Sequence, residues 1–568
     1  MRTNSVFISP CSLITRIKIA CSISLMALIT ACGGGGGDAA PATTPSNLAP
    51  SNSTSSNSAQ TTSAAITATV APTLTSTAPV TVTAASLAQQ CVAPRTGVNQ
   101  DESTDKQGTL DTEKLWVRTY MDETYLWYKD IPSVDPTSTT FTLAANGNNA
   151  FRTLSAYFDA LLTPKRTASD KLVDQFSFTT PTADRNNVEA GVSSGYGIRF
   201  AFIKGTPPGR LIRVLYVEPN SPAAIAGVLR GDTIKSVDGV DVDVETDEGT
   251  AILIAGISPA VASKVTKFGL QAANASAPRD VTVTSSTTIE VTPVPTSKAI
   301  KYGTNTVGYL VLNSFSIRSA EKQLITAITD LKKASVNELV LDLRYNGGGF
   351  LALSNQLSWM IGGAGLSGKT YEKSICNDKN PFDLCNQAAP FIQASLGFTS
   401  DVTAGQPLPQ LGLKRVFVLT SASTCSASES LINGLSPFLE VVRIGNTTCG
   451  KPYGFFIKDN CGTSYAAIQF RGVNADGFGD FADGFKPTCT VADDLSKERG
   501  DKTESMFAGA LNYIHTGSCP APGVGANAAA GSSASGQKLN VLDNGNYKVM
   551  RGPMEEMRIM GLPAGMPQ

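Results

Sequence analysis

Serine is concentrated in one short stretch of this 568-residue chain, TSASTCSASESLINGL, which runs from Thr420 to Leu435. Five of the ten residues from 421 to 430 are serines. Serine suits neither a helix interior nor an apolar core, because its hydroxyl competes for backbone hydrogen bonds. A serine nucleophile is therefore the first chemistry to consider in this sequence.

The boundary between a predicted strand and a predicted helix favours one of these serines. The apolar run 416–420 predicts a strand, and residues 427–435 predict a helix. Ser426 lies where the two meet, whereas Ser428 and Ser430 fall within the helix. A side chain at such a junction lies beside the free N–H groups of the first helical turn, which can stabilise an oxyanion.

A serine nucleophile needs a base, and the chain has a single histidine. His515 lies far beyond Ser426 on a predicted apolar helix, where a structural role is more common. Carboxylates are weak bases for a serine hydroxyl, which leaves lysine, provided that burial lowers its pKa enough to keep it neutral. Lys451 follows the next predicted strand in the loop NTTCGKPYG, from which it can reach a neighbouring strand end.

The segment SASTCSASES…GNTTCGK resembles the serine–lysine segment of the C-terminal processing, or tail-specific, peptidases. In that family the nucleophile precedes Ala-Ser-Glu, as Ser426 does, and the lysine follows 25 positions later, as Lys451 does (451 − 426 = 25). The resemblance covers roughly residues 190–515 and implies a ClpP/crotonase-like serine peptidase core. It also implies an oxyanion hole, formed by the glycine loop of LDLRYNGGG and the start of the helix that follows Ser426. Gly347 or Gly348 is the matching position in that loop, and the N–H of Ala427, just after Ser426, is its partner.

One position departs from the pattern of that family. The family commonly has a glutamine four residues after the lysine, which orients the lysine, and here that residue is Phe455. The orienting role is therefore open, with Glu429 and Gln469 as candidates. Cys425, beside the nucleophile, is also unusual: it could be a disulfide partner, a small buried hydrophobe or a reactive thiol. An inactive relative of the family is the alternative.

Residues 190–295, which precede this core, have a different pattern. GYGIRFAF and RLIRVLYVEP predict strands, and NSPAAIAGVLRGDTIKSVDGVDV predicts a short helix, a turn and another strand. The run resembles a PDZ domain, in which successive backbone N–H groups bind the terminal carboxylate of a peptide. Gly195, Tyr196, Gly197 and Ile198 occupy the matching positions. The alternative is a small β domain that only spaces its neighbours.

The remaining folded sequence predicts a multidomain α/β protein. Residues 91–189 contain the amphipathic patterns EKLWVRTYMDETYLWYKDIP and AFRTLSAYFDALLT, which predict a helical N-terminal domain. Residues 296–520 alternate between strand and helix patterns, as a largely parallel α/β layer structure does. Residues 521–568 are rich in Pro, Gly, Ala and Ser, and predict a flexible tail or a short docked helix.

The N-terminus predicts export and anchoring. Basic residues precede the apolar run IACSISLMALITAC, which is too short to span a bilayer and is typical of a signal peptide over residues 1–31. LITAC followed by glycines resembles a bacterial lipoprotein box with lipidation of Cys32, and the alternative is an ordinary secretory signal. Gly33 after that cysteine favours the outer membrane. Residues 32–90 predict a disordered tether on the periplasmic side of the envelope.

The cysteine content fits an oxidising compartment. Eight of the eleven cysteines remain if two leave with the signal peptide and one is lipidated, and an even number favours disulfides. Zinc is the alternative, but the chain has no paired CxxC spacing and one histidine, so we expect neither a metal nor a cofactor. Short loops favour two pairs, and two further pairs are guesses: Cys376–Cys385 and Cys449–Cys461, then Cys91–Cys519 and Cys425–Cys489.

The expected partners are protein or peptide substrates with accessible C-termini. The formal net charge of −1 and the lack of a basic run give no support for nucleic-acid binding by bulk charge. Membrane contact is expected through the lipid anchor only. The expected activity is that of a serine endopeptidase, and the alternatives are an inactive scaffold that holds envelope proteins and a serine esterase or amidase.

Overall fold

The structure is a computed structural model, which describes residues 82–96, 104–167, 170–259 and 261–521 and three two-residue strands beyond them. All of these belong to one compact unit, Pro79–Gln568. None of the helices in the described part of the chain has the length and apolar character that a bilayer span needs.

The predicted signal peptide, residues 1–31, and the predicted lipidation site Cys32 lie outside the described residues. Most of the predicted tether lies outside them as well. Its end at residue 90 needs correction, because a short helix begins at Ala84. Thr83 caps that helix, and the Glu123 carboxylate accepts a hydrogen bond from the Ala84 N–H, so ordered structure starts earlier than composition indicated.

The N-terminal helices form where apolar residues recur on one face. The elements of this region are α1 (Ala84–Leu87), β1 (Gln90–Cys91), β2 (Lys106–Gln107), α2 (Leu110–Thr124), α3 (Ala150–Ala160), β3 (Phe178–Pro181) and α4 (Thr182–Glu189). In α2, Trp116, Val117 and Tyr120 are buried, whereas Leu115 on the other face is 48% exposed. This buried face belongs to the same apolar core as the helices that follow residue 296. The predicted helical region therefore packs directly onto the predicted peptidase core.

A second apolar core holds residues 190–295, which we call the β-domain. Its elements are β4 (Val192–Gly195), β5 (Ile198–Lys204), β6 (Leu211–Val217), α5 (Pro222–Ile225), β7 (Thr233–Val237), β8 (Val240–Asp241), α6 (Asp247–Ile257), β9 (Val265–Gln271), β10 (Arg279–Thr284) and β11 (Ser286–Glu290). The main sheet has the order β10-β9-β7-β6-β5, and all of these neighbours are antiparallel. Both segments that predicted strands, GYGIRFAF and RLIRVLYVEP, contain one, β5 and β6.

The third region contains the predicted alternation of strands and helices. Its elements are β12 (Thr296–Tyr302), β13 (Asn305–Val311), α7 (Ala320–Lys333), β14 (Glu338–Asp342), β15 (Gly349–Phe350), α8 (Leu351–Gly362), β16 (Thr370–Cys376), β17 (Ala388–Pro390), β18 (Arg415–Thr420), α9 (Ala427–Leu435), β19 (Glu440–Gly445), β20 (Tyr453–Gly454), β21 (Lys458–Asn460), β22 (Thr463–Ala466), β23 (Phe470–Val473), β24 (Cys489–Thr490), β25 (Asp493–Asp494) and α10 (Ser505–Thr516).

The main sheet of this region has the order β12-β13-β14-β18-β19-β24 among the described strands. From β13 onward every neighbouring pair is parallel. One face packs against α7, α8 and α9, and the other against α10, so every residue of β14 is buried, as expected for a parallel strand covered on both faces. Because β14, β18 and β19 are parallel, the loops that follow them meet at one edge of the sheet.

The structure contains disulfides that correct most of the predicted pairings. Cys376–Cys385 is the predicted pair. The predicted pairs Cys449–Cys461, Cys91–Cys519 and Cys425–Cys489 are wrong. For the other cysteines, a short loop between two residues was a poor guide to disulfide pairing. The sheet brings together the ends of β18 and β19, and β22 pairs with β3 of the N-terminal region. The observed pairs are Cys91–Cys461, Cys376–Cys385, Cys425–Cys449 and Cys489–Cys519.

Within the predicted tail, residues 521–568, the structure describes three short strands beyond Ala521. They are β26 (Val541–Leu542), β27 (Lys548–Val549) and β28 (Arg558–Ile559), and they pair with β25, β5 and β15. Neither a flexible tail nor a docked helix describes these strands. The rest of the tail lies outside the described residues.

Candidate active site

Three loops meet at the carboxyl ends of β14, β18 and β19, and hydrogen bonds join them. The Asn346 carbonyl in the first loop accepts from the Cys425 N–H, at 3.1 Å, and from the Ser428 hydroxyl, at 3.1 Å. The Cys449 N–H in the third loop donates to the Thr424 carbonyl in the second, at 3.0 Å. The glycine loop, the serine loop and the lysine loop therefore form one connected structure.

Ser426 lies at the N-cap of α9 in an unusual conformation. Its φ of 60° and ψ of −112° place a non-glycine residue on the left-handed side of backbone space, which carries strain. The side chain is fully buried, and its Oγ has no hydrogen-bond partner among the described residues. A buried hydroxyl without a partner is costly, so a strained and unpartnered serine at this position indicates a functional group.

The Glu429 carboxylate connects the nucleophile candidate to the lysine loop. One oxygen, Oε2, accepts from the backbone N–H of Ser426, at 2.9 Å, and from the backbone N–H of Lys451, at 2.8 Å. The other oxygen accepts from the Gly450 N–H, at 2.8 Å, and from the Thr448 hydroxyl, at 2.5 Å. Burial raises the pKa of Glu429, although these hydrogen bonds act in the opposite direction. Glu429 therefore holds the backbone of Lys451 rather than its amine.

Lys451 is 1% exposed, and its amine lies between aromatic rings. Nζ is 4.9 Å from the centroid of the Phe176 ring and 5.0 Å from that of Phe455. Burial disfavours a charged ammonium, whereas the faces of aromatic rings favour it. The two rings therefore limit where the amine can lie, but they do not by themselves determine its charge. Sequence analysis missed Phe176, because only the pairing of β3 with β22 brings that part of the N-terminal region to the site.

The glycine loop supplies backbone that other residues could not. Gly348 and Gly349 have φ of 114° and 135°, and a Cβ at Gly349 would lie 2.1 Å from the carbonyl carbon of Phe315. The Gly348 N–H donates to Asn346 Oδ1, at 2.9 Å. Of the predicted oxyanion donors, this leaves the N–H of Gly347 and that of Ala427, which is the first residue of α9 and has no intrahelical acceptor.

Gln469, the second candidate for orienting the lysine, is directed elsewhere. Its Nε2 donates to the Tyr120 hydroxyl, at 2.8 Å, and to the Phe456 carbonyl, at 3.1 Å. The contact with Tyr120 joins the residue just before β23 to α2 of the N-terminal region. These contacts give no support to a direct role for Gln469 at the Lys451 amine.

Cys425 and Cys449 place a covalent bond beside the reactive residues. Cys425 immediately precedes Ser426, and Cys449 lies two residues before Lys451. Ligand atoms of Cys425, Cys449 and Glu429 lie within 4.8 Å of one another, as in some metal sites. Because the two sulfur atoms are bonded to each other, neither is a thiolate that could bind a metal. The disulfide instead joins the serine loop to the lysine loop.

A cavity of about 580 Å³ opens beside α9. Leu351, Phe382 and Leu384 contribute apolar walls, and Tyr371 lines it as well. The Tyr371 hydroxyl lies 2.9 Å from the Ser430 Oγ of α9, so the cavity adjoins the helix that Ser426 begins. A cavity of this size and character suits apolar side chains of a peptide.

The predicted carboxylate-binding loop of the β-domain has the backbone of a tight turn. Gly195 and Gly197 have φ of 115° and 80°, and Ile198 begins β5. The Tyr196 side chain is buried in the β-domain core, and its hydroxyl lies 2.8 Å from the Thr266 hydroxyl. The Tyr196 and Gly197 carbonyls accept the N–H groups of Ala223 and Glu218, so the N–H groups of this loop, rather than these carbonyls, are the candidates for ligand binding. Tyr196 has a structural role.

A buried ionic junction joins the β-domain to the glycine loop. Arg230 of the β-domain donates to the Tyr345 hydroxyl, at 2.7 Å, and to the Asp493 carboxylate, at 2.8 Å. Tyr345 lies just before the glycine loop. Burial acts to raise the pKa of Asp493, but the guanidinium groups of Arg230 and Arg344 outweigh it and lower that pKa to about 2.

Two segments of the chain match models of one family. Residues 306–459 match the model of peptidase family S41, and residues 113–178 match that of the peptidase S41 N-terminal domain. The chain is 30% identical over 264 residues to a carboxyl-terminal-processing protease of Picosynechococcus, and 28% identical over 276 residues to one of Bartonella bacilliformis. These alignments cover 46% and 47% of this chain and 55% and 54% of the relatives, so the chain spans about half the length of each.

A solved structure has the same fold over most of its length. It is a candidate S41 protease from Bacteroides fragilis, with a TM-score of 0.54 and 24% identity, and the match covers 71% of this chain and 97% of that one. The chain thus shares the fold of that S41 protease, and residues 113–178 resemble the S41 N-terminal domain.

Proposed function

We propose that this chain, which carries the S41 peptidase fold, is a serine endopeptidase with Ser426 and Lys451 as its catalytic pair. The observation that carries the proposal is the Glu429 carboxylate, because one of its oxygens accepts the backbone N–H of both residues. The two candidates are thereby held at fixed positions in neighbouring loops. Their burial keeps the pair away from bulk water.

The chemistry follows from the types of groups that meet at the site. Neutral Lys451 accepts the hydroxyl proton of Ser426, and Oγ attacks a peptide carbonyl carbon. The N–H groups of Gly347 and Ala427 stabilise the oxyanion. The protonated lysine then donates to the leaving amine, and water releases the acyl group from the serine.

Two aromatic rings lie beside the amine of the lysine. Phe455 stands where the related peptidases commonly have glutamine, and Phe176 lies on the amine from the N-terminal region. We infer that these rings orient the amine by excluding other positions, since neither can accept a strong hydrogen bond. The N-terminal region is then part of the active site as well as of the core.

We also propose that the β-domain is a PDZ domain that recognises the C-terminus of a protein substrate. Its positive-φ glycines and the adjacent edge of β5 provide backbone donors for a carboxylate and a strand for pairing. Arg230 connects this domain to the glycine loop through Tyr345, so ligand binding can affect the oxyanion hole. Envelope anchoring through Cys32 is part of the same proposal, and the disulfides fit an exported protein.

A second candidate function is a scaffold that binds proteins without cleaving them. Phe455 in place of glutamine and the full burial of Ser426 are the observations that favour it. Catalysis is the better-supported function, because a scaffold has no use for a strained serine joined to a buried lysine.

Hydrolysis of casein by the full chain tests the proposal, with a peptide that has a free C-terminus added as an activator. We expect cleavage by the wild type and none by Ser426→Ala. Ser436→Ala, at the exposed end of the same helix, serves as the control and retains activity. Cleavage of a nitrophenyl ester without cleavage of casein would indicate an esterase instead. Equal casein cleavage by wild type and Ser426→Ala, or none by either, would overturn the proposal.

A further inference from the structure

The C-terminal tail pairs with the rest of the protein at three places. β26 is antiparallel to β25, β27 is antiparallel to β5, and β28 is parallel to β15. β25 contains Asp493, which forms the ionic junction with the β-domain. The tail therefore contacts the junction, the β-domain and the glycine loop in turn.

The pairing of β27 with β5 has the geometry of a bound peptide. Lys548 lies opposite Phe202 and Val549 opposite Ala201, so the tail runs toward the loop at residues 195–198. A peptide that adds a strand to β5, with its C-terminus at that loop, would run in the same direction along the same edge. The tail and a C-terminal ligand of the β-domain therefore exclude each other.

The pairing of β28 with β15 lies in the catalytic cleft. Its partners are Gly349, the last residue of the glycine loop, and Phe350, which follows it. β28 also contacts β20, which begins two residues after Lys451. β28 thus contacts strands beside both the oxyanion loop and the lysine loop, where a bound substrate chain would lie. The full burial of Ser426 fits a cleft that is already occupied.

The two pairings are close in sequence. Val549 and Arg558 are separated by nine positions (558 − 549 = 9), and a fully extended chain of nine residues spans at most about 30 Å. Each strand has only two residues, so few backbone hydrogen bonds hold either one. Because β27 and β28 are linked, binding of one raises the effective concentration of the other at its own site. Displacement of one therefore weakens the binding of the other.

We propose that β27 and β28 form a tethered pseudo-substrate, which occupies the peptide edge of the β-domain and the catalytic cleft in the resting protein. A protein substrate whose C-terminal segment pairs with β5 displaces β27 and thereby releases β28 from β15. The inference rests on the proposed peptidase function for its consequence, but the strand exchange itself does not require catalysis.

Removal of the tail provides the first test. A chain that ends at Ala521 keeps the Cys489–Cys519 disulfide and lacks all three tail strands. If the tail occupies the cleft in about nine of ten molecules, its removal should raise the rate of casein hydrolysis about tenfold. Addition of a synthetic peptide of residues 541–562 should reverse this increase. An unchanged rate in an active enzyme would overturn the proposal.

Point variants in the full chain guard against a truncation that misfolds. Val549→Pro and Ile559→Pro should each raise the rate, because proline removes a strand N–H and restricts φ. Ala534→Pro, in the same tail but outside the strands, is the matched control and should leave the rate unchanged. Equal rates for all three variants would contradict the proposal.

Amide hydrogen exchange separates failure of this inference from failure of the proposed function. Amides in β5 and β15 should exchange faster in the shortened chain and in the two strand variants than in the full chain. Faster exchange in a protein that never cleaves casein would uphold the tail contacts and refute the peptidase. Equal exchange in all forms would refute the tail contacts, whatever the protease assay shows.

Discussion

Two junctions in this protein each depend on one buried carboxylate, and they differ in what surrounds it. At the catalytic junction, Glu429 accepts backbone N–H groups from the serine and lysine loops. At the junction of the β-domain, Asp493 accepts from the guanidinium groups of Arg230 and Arg344. Backbone donors are fixed by the fold, whereas side-chain donors can rotate away. The first junction therefore suits fixed geometry, and the second suits a contact that changes.

The two junctions also differ in whether a disulfide restrains them. The Cys425–Cys449 disulfide joins the two catalytic loops beside Glu429. Residues 190–295 contain no cysteine, so no disulfide can join the β-domain to the core. The protein thus restrains the positions of Ser426 and Lys451, the proposed catalytic pair, and leaves the β-domain, the proposed substrate-binding domain, free of covalent restraint.

The largest expected effect is loss of the amine at the catalytic junction. Lys451→Met keeps an apolar chain of similar length in the aromatic slot and removes the base, so kcat should fall by about 10²- to 10⁴-fold. Lys458→Met, at an exposed position in β21, is the matched control. A kcat for Lys451→Met close to that of the wild type would mean that another group accepts the proton.

The next largest effect is expected from Glu429→Gln. The amide has one acceptor oxygen, so its NH2 group would face either the N–H groups of Ser426 and Lys451 or the Gly450 N–H and the Thr448 hydroxyl, and one of the two loops would be displaced. A small displacement of reacting groups can lower the rate by about 10²-fold, and we expect kcat to fall by that order with little change in KM. A change confined to KM would assign Glu429 to substrate binding instead.

The disulfide of the catalytic junction should have a smaller effect. Replacing Cys425 and Cys449 by serine should lower kcat by about tenfold and the free energy of unfolding by about 3 kcal/mol. Kinetics and chemical denaturation measure the two effects separately. The matched control replaces Cys489 and Cys519, which close a loop of similar length away from the 580 Å³ cavity, and should leave kcat nearly unchanged.

Acidification should have the smallest effect and should separate the two junctions. The pKa of Glu429 is raised, so the folded state binds its proton more readily than the unfolded state, and protonation does not destabilise the fold. It does remove acceptor strength from the catalytic loops, and protonation of Lys451 lowers the rate in the same direction. The pKa of Asp493 is lowered to about 2, so its contribution to stability is lost only as pH falls toward that value.

As the pH is lowered, activity should therefore already be falling above pH 4.5, the ordinary pKa of glutamate, while the protein stays folded. Parallel measurement of casein hydrolysis and intrinsic tryptophan fluorescence checks this result. Unfolding that accompanies the loss of activity would show that the two junctions titrate together.

The elements of the site that each lie within one short segment were predicted, because short runs of residues determine them. The strand before Ser426, the helix after it and the loop that carries Lys451 all follow from short runs of residues. The pairing of Cys425 with Cys449 could not be predicted in this way, since it depends on β18 and β19 being neighbours. Phe176 escaped prediction for the same reason.

The tail strands illustrate a different limit. Each has two residues, which is too short for an alternating pattern, and composition predicted a flexible segment or a helix. Their pairing depends on free strand edges at β5 and β15 that are visible only in the folded protein.

The rate at which a fluorophosphonate modifies the protein tests the central claim most directly, because this reagent reacts with activated serines. Mass spectrometry of the full chain with an activating peptide should place the adduct on Ser426. The rate should increase with pH as Lys451 loses its proton and should fall sharply in Lys451→Met. Modification of Ser426 at the same rate in both proteins, at every pH where they stay folded, would contradict a serine activated by that lysine.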